Sequence, residues 1–399
     1  MKIDVSQPGR QHTHLLLQAL EHQGILGKFY TVFASNKLGV LTKVLPVKLK
    51  AQLRKRFFAQ IPSNKIAHQP KLFLDEKFGK ISTEVDLIKK VYEPFDQRVS
   101  RSVKHTKSGI LIGYENANVN TFKAAKANGI TTVLDLAQIH HGSIEEIHKN
   151  FGFLDRSYTP EVLDFINSRK TEALRYTDYI FTLSSFAKDS LTANGVLDKK
   201  IHTVNIGIHL QNFYPKKKYN QNSKFRFLFV GTITRRKGLE LIFEAYKALN
   251  LPDVELVLIG PMANGSELLE RYKGLYSYYP FMHHEELATQ YREADVFVFP
   301  SYLDSWAQTV VESMACGTPA IVSENTGAKD AVIQGGGFIV PTGDLNALKN
   351  KMLHFYKNRD ELEEKGRNAA KIASKYTIEN YHNQIINALK HIENEKNKG

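Results

Sequence analysis

Phe227-Leu228-Phe229-Val230-Gly231-Thr232-Ile233-Thr234-Arg235-Arg236-Lys237-Gly238 runs from an apolar stretch to a glycine, a turn with three consecutive cations, and a second glycine. The apolar part, Phe225–Val230, reads as a buried strand, and residues 238–249 read as the amphipathic helix that it feeds. A glycine at a strand end lets a ligand approach the backbone closely. The helix behind it offers free N–H groups and the positive end of its dipole. Such a loop suits a pyrophosphate, whose oxygens take both backbone donors and Arg/Lys. It is not a Walker A loop, because the order G-x-x-x-x-G-K-[ST] is absent. The alternative is a surface turn decorated with cations.

Downstream, Phe299-Pro300-Ser301-Tyr302-Leu303-Asp304-Ser305-Trp306 leaves a strand and enters a helix over residues 309–315 that Gly317 stops. Asp304 precedes the helix and Glu312 lies about two turns along it. Both acids fall beyond the carboxyl end of a strand, where open α/β sheets bind ligands. One carboxylate there can hold ribose hydroxyls and the other the hydroxyls of a sugar. For Asp304 the alternative is an ordinary helix N-cap. Glu312 stands among Val310, Val311 and Met314 on an apolar helix, where an acid without a partner is costly.

Outward from these motifs, strands alternate with helices, as in doubly wound α/β domains. Strands are expected at residues 110–113, 131–136, 179–183, 201–205, Val254–Ile259, Val296–Phe299 and 320–322. Helices are expected at 121–128, 161–175 and 285–292, and again beyond Asn346. Ser184-Ser185 reads as a helix cap. The polar run 215–224 reads as a linker between two domains, 1–214 and 225–375, with a terminal helix over 376–399.

At 399 residues the chain is long enough for two domains, and 42% hydrophobic with 24% charged residues is a globular balance. No apolar run approaches the length of a membrane span, and Met1-Lys2-Ile3-Asp4 lacks the shape of a secretory signal. Cys316 is the only cysteine, which excludes an internal disulfide. The cytoplasm is the expected compartment. Residues 1–110 hold 20 Lys/Arg and 8 Asp/Glu, a balance of +12 within a total of +13. Residues 41–61, LTKVLPVKLKAQLRKRFFAQI, mix cations with Leu, Val and Phe. They suit an anionic membrane surface or an acidic acceptor, the alternative being a solvated helix. No nucleic-acid-binding signature accompanies the charge, so nucleic acid is not expected as a partner.

The stretch 230–343 resembles the donor domain of retaining glycosyltransferases of the GT-B fold, family 4, the group 1 transferases. Gly231, Lys237 and Gly238 match that family's Gly-x-x-x-x-x-Lys-Gly loop, and Asp304 and Glu312 match its two acids eight positions apart. Ser313-Met314-Ala315-Cys316-Gly317-Thr318-Pro319 and the lead-in 291–301 complete the likeness, and residues 177–184 and 201–213 resemble the family less closely. The resemblance implies two Rossmann-like domains facing a cleft, an acceptor-binding N-domain, and a terminal helix packing back towards it. It implies that Lys237, with a nearby Arg, neutralises a donor diphosphate, that Glu312 holds the ribose, and that Asp304 contacts the sugar. The implied donor set is Gly231, Arg235, Arg236, Lys237, Gly260, Phe281, Asp304, Ser305, Thr309 and Glu312. In the N-domain, His140 is the match for a sugar-contacting histidine, and Gly9 and Arg10 stand for a phosphate loop. Two departures matter. Thr232 replaces the usual loop Arg, leaving Arg235 or Arg236 as substitutes, and Asp304 replaces the usual Glu.

The activity implied by the resemblance is that of a hexosyltransferase acting from a nucleotide-diphosphate sugar on a glycan, lipid-linked or membrane-bound, in cell-surface polysaccharide synthesis. The alternative is a non-catalytic nucleotide-sugar-binding or scaffold subunit of a membrane glycan pathway. No cofactor is expected. His141, Glu145 and His148 share a helical face and could hold a divalent metal, but a polar helix face is the preferred reading, and no Asp-x-Asp clamp occurs.

Overall fold

The computed structural model describes residues 1–36, 53, 56–219 and 224–398. Two parallel sheets organise it. The first contains β1 (Ile3–Ser6), β2 (Leu26–Thr31), β3 (Ile66–His68), β4 (Ile110–Tyr114), β5 (Thr131–Asp135), β6 (Tyr179–Thr182) and β7 (Ile201–Thr203). Its seven strands lie in the order β3-β2-β1-β4-β5-β6-β7. The second contains β8 (Phe225–Val230), β9 (Val254–Ile259), β10 (Ser277–Tyr279), β11 (Val296–Phe299), β12 (Ala320–Ser323) and β13 (Gly337–Val340). Its six strands lie in the order β10-β9-β8-β11-β12-β13. Each sheet therefore reverses its winding once, between β1 and β4 and between β8 and β11. Beyond the strand ends at such reversals, loops diverge and leave a crevice.

The central strands are apolar because helices cover both of their faces. Phe227, Leu228 and Phe229 of β8 are fully buried, and the Phe229 ring stacks on Phe299 of β11 at 5.6 Å. Helix Pro160–Arg175 starts where Thr159 accepts a hydrogen bond from the Val162 N–H and Pro160 occupies the first turn. Helix Val119–Ala127 ends before Gly129, which adopts φ +68°.

The chain crosses between the sheets twice, and the crossings pair. The Ile208 N–H donates to the Tyr376 carbonyl at 2.9 Å, and a Cβ on Gly207 would run into the Thr377 carbonyl. After the second crossing, helix Ile378–Lys398 lies on helix Thr13–His22. Its Gln384 accepts from the Asn205 N–H at 2.9 Å, and Tyr381 and Ile385 are buried.

The basic segment 41–61 is only partly described, with residues 41–52, 54 and 55 outside the described residues. In its remainder, Arg56, Phe58 and Ile61 are buried rather than facing solvent. In the polar run 215–224, residues 220–223 lie outside the described residues. Lys216 is not solvated as its composition suggests. Its Nζ donates to the Ala294 carbonyl, and burial pushes its pKa down to about 8. Among the described residues, no helix is long and apolar enough to cross a membrane.

Candidate active site

The crevice of the second sheet is built by close backbone approach at its reversal. β8 is followed by Gly231 and β9 by Gly260, which sits at φ +144° where a Cβ would strike the Gly231 carbonyl. The basic turn Arg235–Lys237 is a single 3₁₀ turn closed by Gly238 at φ +71°. A Cβ on Gly238 would strike the Pro300 carbonyl, so glycine is needed there for both conformation and space. Helix Leu239–Leu249 then begins.

This turn meets the exit of β11. Lys237 is buried, its Nζ bonded to the Asp304 carboxylate and 5.0 Å above the Phe299 ring. Burial lowers the Lys237 pKa while Asp304 opposes it. For Asp304 burial acts upward, but Lys237 and then Arg236 hold the carboxyl below its ordinary value. Arg236 laces the two loops together. Its carbonyl accepts from the Tyr302 N–H at 2.9 Å and its guanidinium donates to the Leu303 carbonyl at 2.7 Å. Arg235 is instead exposed, 4.0 Å from Glu240.

Asp304 does not cap the following helix. Helix Gln308–Ala315 starts after Ala307, which takes φ +63°, and Asp304 Oδ1 accepts from the Trp306 N–H at 3.0 Å. The Asp304 backbone bonds to Asn325 and Gly327, so its loop is fixed on both sides. Its carboxylate serves the Lys237 pair rather than a helix end.

Glu312 has a partner that its neighbours in sequence do not reveal. Tyr291, fully buried in helix His284–Glu293, donates its hydroxyl to Glu312 Oε2 at 3.0 Å. Burial raises the Glu312 pKa to about 7 against the pull of that hydrogen bond. A carboxylate held this way gains from further donors, such as vicinal hydroxyls. Among the described residues, no direct bond joins Glu312 to the Lys237–Asp304 pair.

The remaining predicted residues fall in several places. Ser305 bridges the sheets, its hydroxyl donating to the Ala137 carbonyl at 2.5 Å while its own carbonyl accepts from Ser184 at 2.7 Å. Thr309 stands in the first turn of helix Gln308–Ala315. Phe281 is exposed beyond β10, edge-on to His283 at 5.0 Å. His140 caps helix His141–Phe151 through Nδ1, which accepts from the Gly142 N–H at 3.1 Å. Its ring stacks on His141 at 4.1 Å, and burial lowers its pKa. Gly9 and Arg10 lie in the loop after β1. There the Gly9 N–H donates to Gln7 at 3.1 Å, and the Arg10 guanidinium stands 5.9 Å from the Phe58 ring. Arg56 braces this loop by donating to the Pro8 carbonyl at 2.5 Å.

The three residues weighed as metal ligands each face other partners: His141 meets Thr171, Glu145 accepts from Asn167, and His148 accepts from the Leu154 N–H. Among the described residues, no three His, Cys, Asp or Glu side chains converge as a metal site.

Sequence reading missed His12 and Asp135. His12 Nε2 lies 3.0 and 2.9 Å from the two carboxylate oxygens of Asp135, and both residues are buried. They stand at the carboxyl edge of the first sheet, 123 residues apart in the chain. Their one signal in the sequence is position, a His opening a helix just after Gly9-Arg10-Gln11 and an Asp ending a strand.

Residues 211–372 match the family described as glycosyl transferases group 1. CapM, a capsular polysaccharide biosynthesis glycosyltransferase of Staphylococcus aureus, is 27% identical over 213 residues. That match spans 49% of this chain and 56% of CapM, about half of each. Across the whole length, the chain superposes on sucrose-phosphate synthase from Thermosynechococcus elongatus with a TM-score of 0.72 at 16% identity. The superposition covers 98% of this chain and 99% of that one. Anabaena HepE in complex with UDP-glucose gives a TM-score of 0.66 at 14% identity, covering 98% and 100%. The fold is GT-B, two parallel-sheet domains with their strand ends facing one cleft.

Proposed function

We propose that the chain is a retaining family 4 glycosyltransferase that moves a hexose from a nucleotide-diphosphate sugar to a glycan in surface polysaccharide synthesis. The Lys237–Asp304 pair at the reversal point of the second sheet carries this reading. It sets a buried cation where a diphosphate would lie and a carboxylate where hydroxyls of the sugar would lie. Departure of the nucleotide leaves negative charge on phosphate, and a cation, backbone donors and a helix end in a dry cleft stabilise that charge. We assign Lys237 and Arg236 to the diphosphate, Glu312 to the ribose and Asp304 to the sugar. Arg236 is preferred to Arg235 because it faces Asp304 and Leu303 rather than solvent. His140, at the far end of the loop whose Ala137 meets Ser305, is assigned to the sugar from the N-domain.

The capsule-synthesis role in CapM's name supports a glycan acceptor, and the UDP-glucose bound to HepE makes UDP the first nucleotide to try. Residues 1–214 would bind the acceptor, from a cytoplasmic position at the membrane face. The donor reaction is assigned no metal, so turnover should persist in EDTA. The deciding test is donor hydrolysis without acceptor, after a thermal-shift screen of UDP, GDP and ADP. Lys237→Ala and Glu312→Ala should each cut turnover by orders of magnitude with the fold intact. Near-normal rates in both variants would end the reading, and binding without any hydrolysis would favour a non-catalytic nucleotide-sugar subunit.

A further inference from the structure

The carboxyl edge of the first sheet holds a second buried charge pair with no assigned role. We propose that His12 and Asp135 are a positioning pair that ties the loop after β1 to the strand end facing the second sheet, and that the tie holds while His12 keeps its proton. The proposal rests on the glycosyltransferase reading, since the loop matters through a bound diphosphate.

The geometry joins elements that are distant in sequence. His12 sits between the Gln7–Gln11 loop and helix Thr13–His22, and Asp135 is the last residue of β5. Both carboxylate oxygens lie within hydrogen-bonding distance of His12 Nε2. Two residues beyond Asp135, the Ala137 carbonyl accepts from Ser305, the neighbour of Asp304. A bonded path therefore runs from the phosphate loop through His12, Asp135 and Ala137 to the Lys237–Asp304 pair. The outer end of the loop is already anchored by Arg56 on the Pro8 carbonyl. His12 supplies the inner anchor.

A buried ion pair adds little net stability over apolar groups of the same shape, so stability alone is a weak reason for one at this edge. It does fix geometry, because charge-assisted hydrogen bonds are roughly twice as strong as neutral ones. Burial alone would lower the His12 pKa, but the charge and hydrogen bond of Asp135 raise it above the ordinary histidine value. The contribution of the pair is then present below the ordinary histidine value and is lost as pH rises through the His12 pKa.

The groups around the pair leave His12 as the one that changes. Tyr381 on the terminal helix is kept well above the ordinary tyrosine value by burial and then by the Asp135 charge, and Tyr114 at the end of β4 by burial and then by Glu115, with Asp135 the smallest contributor. On the helix that follows, His14 is lowered by burial and then by Arg10.

The test uses the full chain with UDP, GDP and ADP as probes. Affinity is measured by calorimetry from about pH 6 to about pH 10, a range that brackets the ordinary histidine value. In parallel, NMR follows the His12 imidazole in the absence of ligand. In the wild type, affinity should fall on the alkaline side with the midpoint of the His12 titration. Asp135→Asn should move both midpoints to lower pH. His12→Gln should abolish the step and weaken binding roughly tenfold at neutrality. Should both variants fail to fold, the agreement of the two wild-type midpoints decides. An alkaline midpoint unmoved in Asp135→Asn, or a wild-type binding midpoint apart from the His12 titration, overturns the proposal alone. Absence of binding by all three nucleotides at every pH overturns it together with the glycosyltransferase reading.

Discussion

Replacing Glu312 with Gln should make the unliganded protein more stable at pH 8 while weakening donor binding. The Glu312 carboxyl moves from an ordinary value of 4.5 to about 7 because burial disfavours its charge more than the Tyr291 hydroxyl favours it. At about 1.4 kcal/mol per tenfold change, keeping the carboxylate ionised in the folded protein costs about 3 kcal/mol. The raised value sets the sign. Below the unfolded-state pKa the group is neutral in both states and the cost is absent. The cost grows as pH rises from about 4.5 and is fully present above about 7. Wild-type stability should therefore fall by about 2–3 kcal/mol between pH 5 and pH 8, and Glu312→Gln should remove most of that fall. Urea denaturation of both proteins at the two pH values measures it. Calorimetry with the nucleotide that binds supplies the second half, a loss of affinity in the variant. Equal stability of the two proteins at pH 8, or a gain in the variant that is the same at pH 5, would refute the claim that a desolvated carboxylate waits here for hydroxyl donors.

Two further outcomes are expected. Lys237→Met leaves the Asp304 carboxylate buried without its counter-charge, which should cost about 3–5 kcal/mol at pH 8 in urea denaturation. The loss should shrink in acid as Asp304 takes a proton, and Lys237→Met with Asp304→Asn should recover most of it. Gly238→Ala should cost about 3 kcal/mol or more by the same assay, whereas Gly129→Ala, at nearly the same φ with open space around it, should cost only the backbone share of about 1–2 kcal/mol.

The second half of the chain was legible because its central strands are buried on both faces. β8, β9 and β11 keep the bounds read from their apolar runs, and the basic loop and the acidic helix follow β8 and β11 directly. Strands lacking such runs went unread. β1 carries Asp4, fully buried, which accepts from Ser108 at 2.6 Å, Thr106 at 2.8 Å and the Lys28 N–H at 2.8 Å. One acid among four residues hides a central strand whenever its hydrogen-bond partners lie far along the chain. β10 is three residues of an edge strand, and β13 opens on Gly337. The site shows the same division. Asp304 resembled a helix cap because the loop that places Ala307 at positive φ has no sequence signature that separates it from a capped start. Glu312 was noticed as an acid in an apolar helix, but Tyr291 belongs to another helix. His12 and Asp135 have meaning only once β1 and β5 are brought to one edge. Local pattern reveals a group's environment within one element. Pairing across elements requires the topology.

Lys237, Glu312 and His12 each already have a partner in the unliganded protein. For Lys237 this has a consequence for ligand choice. A diphosphate approaching the loop meets a pair whose charges cancel, so Lys237 must turn from Asp304 to reach it. That exchange is favourable only if Asp304 finds donors at the same moment, since a stranded buried carboxylate is costly. An intact nucleotide sugar brings both, oxygens for Lys237 and hydroxyls for Asp304. The nucleoside diphosphate alone brings only the first. Asp304→Asn removes the conflict, so it should tighten binding of the free nucleoside diphosphate by roughly tenfold while weakening the intact donor. Calorimetry with the nucleotide and with its sugar conjugate, on wild type and Asp304→Asn, measures both. Nucleotide affinity that is unchanged or weakened in the variant would mean that Lys237 does not exchange partners. The pair would then be a fixed strut, with the diphosphate held by Arg236, the loop N–H groups and the end of helix Leu239–Leu249.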